Sequence, residues 1–379
     1  MTGRRGKTRV AVVFGGRSPE HAISCASAGS ILSAIDRDAY DVLAIGIARD
    51  GRWLLLPDDP EMLKIDGGQL PEVLTGRPVA LSNDPAQRGL RVFDDAVAGL
   101  GHLMQVDVVF PVLHGEQGED GTIQGLFEMI GLPYVGAGVL ASAAAMDKEF
   151  TKKLLAAEGL PVGDYLVLRP GDPIELDDGQ RAHVNLPAFV KPARAGSSIG
   201  ITKITEWSQL PAAIAVARAV DAKVLIEAGI EGREIECGIL ADAASPGDPV
   251  AVRASVPAEI RVLRGHDWYD FEAKYLDDAC EFDVPADLPD EVTARIQDYA
   301  VRAFRALDGA GLARVDFFVT GADEVIINEV NTMPGFTPIS MYPRMWEASG
   351  VPYTELIDRL IRSGMPTSGP PESLGVPLL

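Results

Sequence analysis

In the first third of the chain, short runs of apolar, often β-branched residues alternate with stretches of helical period. Residues 10–14 read as a short buried strand closed by Gly15-Gly16. Ser18-Pro19-Glu20 then reads as a helix start, with Ser18 as N-cap and Pro19 as first helical residue, and the helix runs to about 35. A second strand is expected over 41–48 and a third over 106–113, ending at His114-Gly115, followed by a helix over 122–130. Between them, residues 57–90 are rich in Pro and Gly and less regular. Strands alternating with helices predict a parallel, doubly wound N-terminal domain, in which ligands gather beyond the carboxyl ends of strands. Glu20 and His114 both follow strand ends and are thereby placed to line one cleft.

From about 146 the pattern changes. A helix over 147–158 leads to strands at 165–168, 188–191 and 200–204, a helix near 207–219, and strands at 223–227 and 234–240. A strand near 251–263, a polar loop at 264–282, a helix at 290–307, a hairpin and a last helix at 353–362 complete the pattern. The expected organisation is an α/β unit over 1–145, a central α+β unit over 146–240, a C-terminal unit over 241–365 and a loosely held Pro/Gly/Ser-rich tail over 366–379.

The hairpin carries the densest chemistry. Arg314-Val-Asp316 opens one strand, Thr320-Gly-Ala-Asp-Glu324 is turn chemistry, and Glu329-Val-Asn331 ends the other. Side chains alternate along a strand, so Arg314 and Asp316 share a face, as do Glu329 and Asn331. If the register allows, Asp316, Glu329 and Asn331 converge as hard oxygen ligands suited to Mg²⁺ holding nucleotide phosphates. A hairpin with a merely polar solvent face is the alternative.

Composition narrows the class. With 379 residues, 47% hydrophobic and 23% charged, the chain is long enough for two or three domains with sizeable cores. A net charge of −21 argues against a nucleic-acid partner, though a local basic pocket for an anion remains compatible with it. Cys25, Cys237 and Cys280 are dispersed and form no C-x-x-C pair, which points to a reducing compartment without a thiolate metal cluster. The basic start at Arg4, Arg5, Lys7 and Arg9 precedes an apolar run too short for a signal peptide, and no stretch approaches a membrane span. A cytoplasmic protein without a membrane partner is expected.

Two glycine patterns point elsewhere at first sight. Gly136-Ala-Gly138-Val-Leu-Ala141 fits a dinucleotide fingerprint, but it is not the first βα turn and no strand ends in an acid about twenty residues later. Gly196-Ser197-Ser198-Ile199-Gly200 fits the hydrolase elbow, yet β-branched residues follow where an elbow needs a helix. It reads better as a Gly-rich hairpin loop, either an ordinary surface turn or a cover for phosphates, with Lys191 on the preceding strand adding a point charge. His114-Gly-Glu-Gln-Gly-Glu119-Asp-Gly121 packs acids and a lone His at a strand-to-helix junction, a poor zinc site that a capped surface loop would explain equally. Lys274, in Phe271-Glu-Ala-Lys274-Tyr275, stands in a long polar loop and by itself commands no role.

In their order along the chain, these motifs resemble the D-alanine–D-alanine ligase family of the ATP-grasp superfamily. The resemblance runs from Val10 to about Arg362 through Phe14-Gly-Gly…Glu20-His, the His114 motif, Met146-Asp-Lys148 and Val190-Lys-Pro…Gly-Ser-Ser198. It continues through Ile226-Glu227, Glu234, Glu272-Ala-Lys-Tyr275, Arg314-x-Asp316 and Asn328-Glu-Val-Asn-Thr-x-Pro-Gly335. It implies a three-domain ATP-grasp architecture and ATP-dependent joining of two D-alanines through an acyl phosphate, supplying peptidoglycan precursors. By resemblance, two Mg²⁺ ions, or Mn²⁺ in their stead, rest on Asp316, Glu329 and Asn331, while Lys148 and Lys191 reach the α- and β-phosphates. Ser198 belongs to the loop over the nucleotide, Lys274 lies near the γ-phosphate, and Glu227 and Glu234 lie at the adenine and ribose. Arg314 and the Gly335 N–H would stabilise the oxyanion, and Glu20 would pair with the first ammonium group, with His114 nearby. Ser197 and Tyr275 would link to Glu20 and close a loop over the site, and Ser340 with the Met341 backbone would anchor the second carboxylate. The family also suggests a homodimer.

Ala228 stands where many relatives carry Lys, and Phe271 where Tyr is common, which touches nucleotide affinity and a loop hydroxyl. The nearest rival is a D-alanine–D-lactate ligase, against which the complete Glu272-Ala-Lys274-Tyr275 run argues, followed by another ATP-grasp carboxylate–amine ligase. A non-enzymatic binding module would be expected to lack phosphate or metal residues that this sequence retains.

Overall fold

The computed structural model describes residues 6–65, 69–84, 87–93, 101–243, 248–262 and 280–366. The first sheet contains β1 (Thr8–Gly15), β2 (Tyr40–Ile47), β3 (Trp53–Leu55), β4 (Arg77–Leu81), β5 (Gly89–Val92), β6 (His102–Gln105) and β7 (Val108–Val112). Its order is β6-β5-β4-β3-β2-β1-β7. β2, β1 and β7 form the expected parallel core. The stretch from β3 to β6 extends it with antiparallel strands. The sequence does not show that edge, because short strands interrupted by Pro and Gly give too little alternation to count.

Alternate residues of β1 enter two cores. Val10, Val12 and Phe14 pack with Ile31 and Leu32 of α1 (His21–Ala34), whereas Ala11 and Val13 pack with Ile123 and Phe127 of α2 (Thr122–Met129). A strand covered on both faces must be apolar at every position, which explains its unbroken hydrophobic run. The helix start is corrected by the structure. α1 begins at His21 with Glu20 as N-cap, and the Ser18 hydroxyl ties two loops instead. It donates to the His114 carbonyl at 2.7 Å and accepts from the Glu20 N–H at 3.1 Å.

Helices α3 (Val139–Met146) and α4 (Lys148–Ala157) lead to the second sheet. It is formed by β8 (Tyr165–Leu168), β9 (Ala188–Pro192), β10 (Thr202–Ile204) and β11 (Val224–Ala228), in the order β10-β9-β11-β8. Helices α5 (Asp178–Val184) and α6 (Leu210–Arg218) share its core. The third sheet holds β12 (Arg233–Asp242), β13 (Ala251–Ala254), β14 (Ala258–Val262), β15 (Cys280–Asp283), β16 (Leu312–Val319) and β17 (Val325–Asn331). Its path is β15-β14-β12-β16-β17, with β13 also on β12. Three helices follow the same unit: α7 (Asp290–Ala306), α8 (Met341–Ala348) and α9 (Tyr353–Ser363).

Several expected bounds shift. The single strand expected over 251–263 divides around Pro257, which lacks the N–H a ladder needs, and the Ser255 hydroxyl accepts from the Gly238 N–H at 2.9 Å. The expected loop at 264–282 falls largely outside the described residues, and its end forms β15. β12 joins the third sheet along its whole length, so a unit boundary at 240 would cut a strand. Residues of α8 and α9 also share a core with α1 and β1, which binds the first and third units together.

α4 bridges two units. Leu155 enters the core of the third sheet, while the first turn is tied to the second. Lys223 Nζ donates to both oxygens of Asp147, the N-cap of α4, at 2.7 and 2.6 Å. Glu149 accepts from Lys223 at 3.0 Å, Lys153 at 2.7 Å and Arg169 at 2.5 Å. Burial opposes this carboxylate, but the three cations prevail and bring it down to about 2. A depressed folded pKa gives stability that is complete above the ordinary value of 4.5 and is lost as pH falls toward 2. Glu149→Gln is therefore expected to cost about 3 kcal/mol at pH 7, the low end for breaking a buried ion pair. Thermal unfolding should show the wild-type advantage at pH 7 and its shrinkage below pH 4.5; an advantage independent of pH would contradict this origin.

Candidate active site

β16 and β17 pair Arg314 with Asn331, Val315 with Val330 and Asp316 with Glu329, and a register shift follows Asp316. This is the register needed to bring Asp316, Glu329 and Asn331 together. Arg314 forks onto Asp316 with two contacts of 2.7 Å, and Asn331 Nδ2 donates to Asp316 Oδ2 at 3.0 Å. Glu236, opposite Asp316 across β12 and β16, reaches Arg314 Nε at 3.2 Å. Burial by itself would lower the Arg314 guanidinium, but Asp316 and Glu236 hold it well above its usual value. The side chain is a permanent cation wedged between carboxylates.

That face opens on a cleft of ≈ 910 Å³ between the second and third sheets, a volume that suits a nucleotide. Lys148, Lys191, Glu227, Glu234, Asp316 and Glu329 all line it, as do Arg314, Ser197 and Ser198. Lys191 Nζ lies 2.6 Å and Lys152 Nζ 3.5 Å from Glu227 Oε2. Glu227 is buried, yet Lys152 and Lys191 keep its carboxyl below the usual range. Its Oε1 is buried with no hydrogen-bond partner among the described residues, so an acceptor stands ready in the wall of the cleft.

The Gly-rich loop joins β9 to the antiparallel β10 and not to a helix, which removes the hydrolase elbow. Ser197 and Ser198 adopt φ of 50° and 58°, a left-handed conformation uncommon for residues with side chains. Lys148 Nζ donates to the Ala195 carbonyl at 2.7 Å and so meets this loop from α4. Ser197 Oγ donates to Glu20 Oε1 in a short hydrogen bond. The Glu20 carboxylate fits between two glycines: a Cβ on Gly115 would lie 2.5 Å, and one on Gly196 3.1 Å, from its Oε2.

His114 is buried, which lowers its pKa and keeps the ring neutral. Its Nδ1 lies 3.0 Å from the Met333 carbonyl, the geometry of an Nδ1–H donor, which leaves Nε2 to accept from Ser27 Oγ at 3.3 Å. Glu119 accepts from the Gly115 N–H at 2.8 Å and the Met333 N–H at 3.0 Å. Burial and then the Glu20 charge push Glu119 up to about 8 against those two donors. Beyond Met333, a Cβ on Gly335 would lie 3.1 Å from Ser340 Oγ. Ser340 is the N-cap of α8, so the Met341 N–H belongs to a helix N-terminus, where anions are favoured.

Thus Lys148, Lys191, Ser197, Ser198, Glu227, Glu234, Arg314, Asp316 and Glu329 share one cleft, and Asn331 joins them through Asp316. Glu20 connects through Ser197, and His114 through the segment that carries Gly335, Ser340 and Met341. Lys274, Tyr275 and Phe271 lie outside the described residues. Three charged neighbours received no role from the sequence. Lys152 is one helical turn beyond Lys148, and Glu236 is two strand positions beyond Glu234, so periodicity alone could have singled them out. Glu119 depends on Met333, more than two hundred residues away, and no local pattern reveals that contact.

Two family models match the chain: "D-ala D-ala ligase N-terminus" over residues 9–137 and "D-ala D-ala ligase C-terminus" over 154–362. A D-alanine–D-alanine ligase of Rhodococcus opacus (strain B4) is 60% identical over 365 residues, 95% of this chain and 97% of that protein. One of Mycobacterium sp. (strain KMS) is 58% identical over 368 residues, again 95% and 97%. Among solved structures, the D-alanine–D-alanine ligase from Coxiella burnetii superposes with a TM-score of 0.77 at 37% identity, covering 94% of both chains. The VanG D-Ala:D-Ser ligase from Enterococcus faecalis gives a TM-score of 0.80 at 35% identity, covering 94% of this chain and 99% of that one. With the first unit and the cleft-bearing remainder matched by the two models of one family, the chain belongs to the D-alanine–D-alanine ligases, ATP-dependent carboxylate–amine ligases of ATP-grasp fold.

Proposed function

We propose that this chain joins two D-alanines to D-alanyl-D-alanine at the expense of ATP, for peptidoglycan precursor synthesis, and that the residues gathered above carry the steps. The observation that carries the reading is the Ser197–Glu20 hydrogen bond, which joins the nucleotide cleft to the acid expected at the first substrate. Lys148 and Lys191 neutralise the α- and β-phosphates, with Ser198 in the loop above them. Glu227, with its unpartnered buried oxygen, accepts from the adenine amino group, and Glu234 from ribose hydroxyls. Asp316, Glu329 and Asn331 supply hard oxygens for two Mg²⁺ ions, or for Mn²⁺ in their place. When bound, these ions would neutralise phosphate charge. Among the described residues no group of three or more His, Cys, Asp or Glu could hold a metal ion, and the set proposed here is two carboxylates and an amide.

Glu20 pairs with the ammonium group of the first D-alanine, whose carboxylate oxygen attacks the γ-phosphorus while the bond to the β-phosphate oxygen breaks. Lys274 neutralises the transferring group. The acyl carbon is then attacked by the second amine, held through its carboxylate by Ser340 and the Met341 N–H at the start of α8. Arg314 and the Gly335 N–H receive the charge on the tetrahedral oxygen, and phosphate departs as the amine loses its proton. Tyr275, in the role the family motif gives it, helps keep water from the acyl phosphate. His114, with both ring nitrogens engaged, shapes the first-substrate pocket without taking up a proton. D-Alanine carrying ¹⁸O in its carboxylate should pass one labelled oxygen to the released phosphate. Unlabelled phosphate would overturn the acyl-phosphate route.

The same reading places the enzyme in the cytoplasm with its ATP, and no helix among the described residues is long and apolar enough to cross a membrane. Three units are proposed, close to 1–145, 146–232 and 233–365. A homodimer is proposed through α2 and α3, which together carry four exposed apolar side chains, Met129 (84%) and Leu140 (66%) being more exposed than Leu126 and Val139. A Met129→Glu, Leu140→Glu double variant should sediment as a monomer where the wild type is a dimer. An unchanged mass would exclude this face.

A further inference from the structure

The segment after β17 is held at both ends by residues of the first unit. Both backbone groups of Met333 are engaged: its N–H donates to Glu119 Oε1 at 3.0 Å and its carbonyl accepts from His114 Nδ1 at 3.0 Å. Phe336 is fixed likewise. Its N–H makes a long contact of 3.4 Å to Ser27 Oγ on α1, and its carbonyl accepts from the Tyr353 hydroxyl at 2.6 Å. Between these anchors lie Pro334, whose ring fixes φ, and Gly335. The two anchors are themselves connected, because Ser27 Oγ also meets His114 Nε2 at 3.3 Å. Glu119 closes the arrangement on the other side, accepting from the Gly115 N–H at 2.8 Å, directly beside the Glu20 carboxylate.

We infer that Glu119, with Ser27 in support, is a positioning residue that clamps the 333–336 segment and thereby aims the Gly335 N–H at the reacting carbonyl, in register with Glu20. This rests on the reading of Gly335 as an oxyanion donor. Each acts through backbone held by two hydrogen bonds, at Met333 and at Phe336. Both Glu119 oxygens are needed, one for each N–H. Glutamine keeps the shape but offers a single acceptor oxygen and turns an NH₂ toward the second N–H. A donor aimed at charge that develops only in the tetrahedral state affects kcat, while ATP binding in the neighbouring cleft is untouched.

The test compares Glu119→Gln and Ser27→Ala with wild type in the full-length enzyme. Amide hydrogen exchange over 332–337 is measured in the absence of ligands, and steady-state constants with Mg-ATP and D-alanine. The clamp predicts faster exchange at Met333 in Glu119→Gln and at Phe336 in Ser27→Ala. In Glu119→Gln, kcat should fall at least about tenfold, within the ~10²–10³ that loss of an oxyanion donor costs, and the KM for ATP should stay within about twofold. Should Glu119→Gln fail to fold, Ser27→Ala carries the same expectation at Phe336 with a smaller drop in kcat. Unchanged exchange overturns the clamp, whatever happens to kcat. Faster exchange with unchanged kcat overturns the Gly335 reading and with it the catalytic purpose of the clamp. Loss of protection throughout the chain, with kcat and the KM for ATP moving together, would reduce Glu119 to a folding residue and equally overturn the inference.

Discussion

Glu329→Gln is expected to lower phosphate release from Mg-ATP and D-alanine by about 10³-fold while the protein remains folded, the upper range for removing one transition-state contact. Glu329 faces Asp316 across the hairpin and lines the nucleotide cleft. The substitution conserves volume and leaves the Arg314–Asp316 fork in place, so the ladder between β16 and β17 has no reason to change. What it removes is one of two carboxylate charges on the face assigned to the metal, and phosphoryl transfer depends almost entirely on positioning and neutralisation. Turnover near wild type, in a variant with an unchanged thermal transition, would take Glu329 out of the metal site.

Arg314→Met is expected to damage both stability and turnover. The guanidinium separates Asp316 from Glu236, which the β12–β16 register places directly opposite one another. Without it, the buried Glu236 and the partly buried Asp316 face each other, and breaking such a network costs about 3 kcal/mol, the low end for a buried pair. Like charges would raise the pKa of one of the pair in the folded variant. A raised folded value means that the native state binds more protons than the unfolded state, so the variant loses stability as pH rises. Its deficit against wild type should therefore be smaller at pH 5 than at pH 8, by thermal or denaturant unfolding. Turnover should fall by about 10²–10³ for loss of oxyanion stabilisation. Arg314→Lys would restore part of the stability but little activity, since an ammonium cannot fork onto Asp316. A stable Arg314→Met variant with no pH trend would show that the guanidinium does not hold these carboxylates apart.

Much of this arrangement is legible in the sequence wherever the information is local. β1 carries an unbroken apolar run over 10–14 because both its faces are covered there, and the hairpin declares itself through alternation and a polar turn. α7 is equally plain, with Val292, Ile296, Ala300 and Ala303 recurring at helical spacing on its buried side. Signals fail where tertiary contacts compete with local chemistry. Ser18 looks like an N-cap, but its hydroxyl is taken by His114 and the helix starts later. α8 hides behind Pro343 near its start, where proline is tolerated but reads as a breaker. β12 belongs to the third sheet through its pairing with β16, which nothing in its own ten residues states.

The site divides in the same way. Side chains such as Asp316 and Glu329 are found by period and turn chemistry, and Lys191 by its glycine-rich neighbour. The link from Ser197 to Glu20 joins residues 177 positions apart, and Ser27, Glu119 and Met333 come together only when the first and third units pack. Those contacts join the cleft to the acid proposed at the first substrate.

The most direct test of that claim is to give the enzyme Mg-ATP with D-alanine alone, then with equal D-lactate or D-serine added, and to identify every product by mass. The account predicts D-alanyl-D-alanine as the principal product throughout, formed one-for-one with phosphate. A depsipeptide or D-alanyl-D-serine as the main product would contradict D-alanine as the preferred second substrate, and phosphate release without any condensed product would contradict the reading of the cleft as a ligase.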